Sequence, residues 1–74
     1  MHNYEEKMKK TGENLRSLRL RRGLSVEQLA FMINSEPAWI LQLENGQAEK
    51  ISFNQLDRLC KVFNIASLNE LIMF

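Results

Sequence analysis

The chain has 74 residues, 45% of them hydrophobic and 26% charged, with a net charge of +1 and a single cysteine. That is enough for one domain around one modest core, and too little for a catalytic cleft on its own scaffold. No apolar run nears the ~20 residues needed to span a bilayer, MHNYEEKMKK lacks the apolar stretch of a secretion signal, and a lone cysteine closes no internal disulfide. A cytoplasmic protein with no membrane partner is expected.

The charges are unevenly spread. Residues 1–23 hold seven basic side chains against three acidic, a net +4, and residues 24–74 hold three against six, a net −3. A basic arm on a near-neutral body is compatible with phosphate contact. It is equally compatible with a solvated helix face.

In chain order, residues 1–10 are polar without a period and are predicted to be a flexible, at most loosely helical, basic arm. Residues 11–74 form the domain. From Gly12 to Arg22 the spacing of Leu15 and Leu18 predicts a helix that Gly23 ends in a left-handed turn. Ser25 and Gln28 are spaced as a reciprocal capping box for a second helix, with Leu29, Ala30 and Ile33 on its buried side and Phe31 and Met32 flanking it. Asn34-Ser35 breaks the pattern, and Asn tolerates positive φ. Pro37 suits the first turn of a third helix, whose inner face is Ile40, Leu43 and Glu44 and whose end is Asn45-Gly46.

Ser52 and Gln55 make a second capping box, before Phe53, Leu56, Leu59, Cys60 and Phe63 at helical spacing and an end at Asn64. Ser67 and Glu70 make a third, opening a short last helix with Leu68, Leu71 and Ile72. Five helices and no strand are expected, an all-α fold. Two short helices joined by a three- or four-residue turn, at about residues 25–44, have the form of a helix-turn-helix, whose second helix can enter a major groove about 12 Å wide. Spacing alone does not separate this from any small helical bundle.

The residues add to the spacing. LRSLRLRRGLSVEQLA, then AWILQLENG, then SFNQLDRLCKVFNIASLNELI resembles the phage-repressor and Cro-type helix-turn-helix family (XRE family), over about residues 12–72. The resemblance rests on the combination R-x-x-R-G-L-S-x-E-x-L-A, a spaced I-x-x-L-E-N-G, and a capped fourth helix with a short fifth. It implies a five-helix domain that binds double-stranded operator DNA as a two-fold homodimer and regulates transcription. Arg19 and Glu44 match a partly buried ion pair between the first and third helices. Ser25 matches the cap that faces a phosphate. Pro37, Ala38, Leu41 and Gln42 match the groove-facing positions of a recognition helix at about 36–44, and Asn45 and Gln47 the loop that contacts phosphates. Lys10, on the basic arm, joins the backbone contacts.

Several positions depart from that pattern. Val26 stands where a polar phosphate contact is common, Glu36 where Ser or Thr is usual, and Leu41 where a polar residue is common. Glu36 either caps its own helix, the plainer reading, or accepts from cytosine N4. Trp39 either packs between the two helices or lies along the sugar–phosphate backbone. Of the groove-facing set only Gln42 can read a base in bidentate fashion, pairing with adenine. The face Pro37–Leu41 therefore has a second reading as a protein-binding surface, as in an antitoxin or anti-regulator. The end of the chain is apolar, and the resemblance implies a two-fold interface in the region of the fourth and fifth helices, here Ile65, Leu68, Ile72, Met73 and Phe74, which would set two recognition helices ~34 Å apart on a palindrome. Cys60 reads as a core residue, and His2 is alone. No nucleophile set, phosphate loop or metal-ligand cluster is spelled out, so no enzyme activity, cofactor or metal is expected.

Overall fold

The four helices of the described residues all stop in the same way. In the computed structural model, which describes residues 4–48 and 52–65, α1 spans Tyr4–Arg21, α2 Val26–Met32, α3 Pro37–Glu44 and α4 Phe53–Phe63. Just beyond each end lies one residue of positive φ: Gly23 (66°), Asn34 (56°), Gly46 (71°) and Asn64 (56°). At each, two amides bond back onto the last turn. Gly23 N donates to Leu20 O and Leu24 N to Arg19 O; Asn34 N to Phe31 O and Ser35 N to Ala30 O; Gly46 N to Leu43 O and Gln47 N to Gln42 O; Asn64 N to Lys61 O and Ile65 N to Cys60 O. This pairing satisfies carbonyls that a helix end leaves open, and it needs a left-handed residue, which Gly and Asn supply at least cost. Two glycines and two asparagines thus fix the direction in which the chain leaves each helix.

The helix starts are also local. Ser25 Oγ accepts from Gln28 N at 2.9 Å while Ser25 N donates to Gln28 Oε1 at 2.7 Å, so the predicted capping box is complete. Pro37 opens α3. At α4 only half of the expected box forms: Ser52 Oγ accepts from Gln55 N at 3.4 Å, but the Gln55 amide donates across the fold to Ser35 Oγ at 2.8 Å. At the Glu36 cap position the side chain makes no capping bond, so the plainer reading of Glu36 is corrected.

The core is built from Leu15, Leu29, Ile33, Ile40, Leu43 and Leu59, all fully buried, with Met8, Ala30, Ala48, Leu56 and Phe63 around them. α3 packs against both α1 and α2. Residues 4–10, read as an at most loosely helical arm, belong to α1, which begins at Tyr4, with Met8 in the core and Thr11 buried, its hydroxyl donating to Lys7 O at 2.8 Å. The polar run hid this, because one methionine per two turns leaves no apolar period to read. Phe31 and Met32, flanking the buried side of α2, are both exposed, Phe31 at 87%, and Phe53 is exposed at the start of α4.

Among the described residues the helices number four and no strand is present. The predicted last helix, with its Ser67–Glu70 cap, lies outside the described residues. No helix of the described residues is long and apolar enough to cross a membrane.

Candidate nucleic-acid interface

α3 is held by its back. Ile40, Leu43 and Glu44 are buried at i, i+3 and i+4, and that fixes the rotation of the helix about its axis. The opposite side is thereby set outward: Pro37, Ala38, Leu41 and Gln42 are all exposed, followed by exposed Asn45 and Gln47. The small side chain of Ala30 is fully buried on α2.

An ion pair locks this orientation. Arg19 Nε donates to Glu44 Oε2 at 2.6 Å and one terminal nitrogen donates to Glu44 Oε1 at 3.0 Å, a two-pronged grip. The other terminal nitrogen donates to Leu24 O at 2.9 Å, in the turn between α1 and α2. One guanidinium therefore joins α1, the end of α3 and the entry to α2. Both side chains are withdrawn from water, to 11% exposure for Arg19 and 4% for Glu44. The hydrogen bond to Glu44 holds the Arg19 pKa above its ordinary value, against the opposing effect of burial.

Ser25 is half-buried at the start of α2. Its oxygen accepts from Gln28 N, which leaves the hydroxyl proton available to a phosphate oxygen. Val26, where a polar contact was a family expectation, instead packs against the core. Trp39 is half-buried and also packs against the core. On α1 the Lys9 backbone lies against the loop after α3: a Cβ built on Gly46 would come within 2.9 Å of Lys9 Cα. Lys10, the next residue of α1, is exposed. Glu36 stands exposed at the head of α3.

Residues 11–71 match a family model described as a helix-turn-helix domain. The chain belongs to the helix-turn-helix domain family. Among solved structures it is similar to the restriction-modification controller protein C.AhdI from Aeromonas hydrophila, at 32% identity and a TM-score of 0.78, over 89% of this chain and 97% of that one. No curated protein matches it. Together these make it an all-α DNA-binding transcription regulator of the Cro/XRE-like kind.

Within this helix-turn-helix the predicted site residues fall into three groups. Pro37, Ala38, Leu41 and Gln42 share the outer side of α3, with Asn45 and Gln47 beyond it. Ser25 caps α2 and Lys10 is an exposed residue of α1. Of the predicted dimer residues, Ile65 is half-buried and packs against the core, while Leu68, Ile72, Met73 and Phe74 lie outside the described residues. Sequence reasoning missed the polar ties that seat α4 under the unit. Arg22 donates to Val62 O at 3.3 Å and Phe63 O at 3.1 Å, with its guanidinium 5.8 Å from the centre of the Phe63 ring. Arg58 donates to Ile33 O at 3.1 Å. Their acceptors are backbone carbonyls 25 or more residues away, and no residue type announces such a partner.

Proposed function

We propose that this protein is a sequence-specific transcription regulator that binds operator DNA as a homodimer, with α3 in the major groove. The observation that carries the reading is the fixed rotation of α3, buried along Ile40, Leu43 and Glu44 and open along Pro37, Ala38, Leu41 and Gln42. Gln42 is the base reader, its amide able to accept from adenine N6 and donate to N7. Ser25, Trp39, Asn45, Gln47 and Lys10 hold the sugar–phosphate backbone on either side. The two-fold partner docks through residues 65–74 and sets the second α3 one DNA turn away, on a palindrome. The similarity to a restriction-modification controller supports a circuit in which such an operator controls genes of that kind.

Phosphate contacts release counterions, so affinity falls with salt at a log–log slope of about −0.9 per phosphate neutralised. Titration of a nonspecific duplex at several salt concentrations is expected to give a slope of about −2 or steeper, and a shallower slope contradicts DNA binding by this face. Light scattering at micromolar concentration is expected to give a dimer. Monomer alone, both free and on DNA, contradicts the two-fold arrangement.

A second reading is favoured by one observation. Leu41 is 48% exposed and, on α2, Phe31 and Met32 are bare as well, so apolar surface lies on both helices of the unit. On that reading the face Pro37–Leu41 binds a protein, and the salt slope stays near zero.

A further inference from the structure

Three of the four outward residues on α3 carry no hydrogen-bonding atom in the side chain: Pro37, Ala38 and Leu41. They are also mutual neighbours, Pro37 and Leu41 at i, i+4 and Ala38 and Leu41 at i, i+3, with Gln42 one turn beyond Ala38. Leu41 is therefore the apex of a small apolar step on the groove side of the helix. It is half exposed in a helix whose other long aliphatic side chains, Ile40 and Leu43, are fully buried, so its position is not a demand of the core.

A major groove offers an aliphatic side chain few good partners. Guanine shows two acceptors there, adenine an acceptor and a donor, and cytosine a donor. Covering any of these with Leu41 would strip water from a polar edge and give nothing back. The exception is the methyl group on C5 of a pyrimidine, present in thymine and in 5-methylcytosine. Resting on the reading that α3 enters the groove, we propose that Leu41, with Ala38 beside it, reads a C5-methyl pyrimidine at a fixed step from the adenine that Gln42 pairs with. The operator is then specified by one polar contact and one apolar contact on the same or the next base pair.

The test uses a duplex selected from a random library by the full chain, in which each thymine in turn is replaced by deoxyuridine, removing only the methyl. Burying one methyl-sized group corresponds to about fourfold in Kd. At one position in the site the replacement is expected to raise Kd by about that factor for the native chain and to leave L41S unchanged. At that position 5-methylcytosine is then compared with cytosine, each opposite guanine. About fourfold tighter binding of the methylated base assigns recognition to the methyl from either source; no difference confines it to thymine. Deoxyuridine that matters nowhere, or that weakens the native chain and L41S equally, overturns the proposal while leaving DNA reading by α3 intact. A library that yields no enriched duplex overturns the DNA reading itself and turns the apolar step into a protein-facing surface.

Discussion

Replacing Arg19 with alanine is expected to lower the melting temperature by well over 10 °C. The substitution strands Glu44, 4% exposed, without either of its two bonds from the guanidinium. Breaking one side of a buried pair costs about 3–5 kcal/mol, because the remaining charge stays desolvated and unmatched. For a domain of this length 1 kcal/mol is about 4–8 °C. The bond from Arg19 to Leu24 O disappears as well, so the turn that leads into α2 loosens with the end of α3. Arg19→Lys keeps the charge but not the fork, and is expected to recover only part of the loss. E44Q retains the shape but leaves the Arg19 charge unmatched and turns an amide NH2 toward one of its donors. Because Arg19 is the more exposed partner and keeps its bond to Leu24 O, E44Q is expected to cost less than Arg19→Ala. Thermal denaturation followed by circular dichroism ranks the three. Equal stability of all three with the native chain would mean that the pair does not hold α3 in place.

The second large effect is of unusual sign. In a helix interior, glycine to alanine ordinarily stabilises, by about 0.5–1 kcal/mol. Gly12 lies within α1, yet a Cβ there would strike the carbonyl oxygen of Leu43 and come within 2.6 Å of Glu44 O. Those atoms are the backbone at the end of α3 and cannot swing aside as a side chain would. G12A is therefore expected to destabilise by about 1–3 kcal/mol or more, the usual result of overfilling a packed contact, and to weaken DNA binding by shifting α3. A stabilised G12A in urea denaturation would show that α1 and α3 do not approach this closely.

Both residues bear on what a sequence can disclose. The Arg19–Glu44 pair was legible through family resemblance, and both helices of the reading unit were legible from local chemistry. Ser25–Gln28, Asn34, Pro37 and Gly46 act within a few residues of where they stand, and the structure uses each in place. The outward side of α3 was legible for the same reason, since three buried positions settle the rotation of a helix.

What stayed hidden depends on distant atoms. Gly12 looked like the start of a helix, because nothing in its neighbourhood says that another helix will press on it. The Gln55 amide looked like half of a capping box; it was drawn instead to Ser35, 20 residues back. Residues 4–10 read as an arm because Met8, which is buried, stands among lysines and glutamates that set no apolar period. Val26 looked like a missing phosphate contact and is a packing residue of α2. Glu36 makes no capping bond and stands exposed at the head of α3.

The central claim is that α3 reads bases through Gln42. Duplexes selected from a random library by the native chain are expected to converge on a palindrome with an adenine at one position in each half-site. The same selection with Gln42→Ala is expected to lose the preference at that position alone, at about 1–3 kcal/mol of discrimination per contact. An unchanged motif with Gln42→Ala, or no enrichment with the native chain, would contradict the claim.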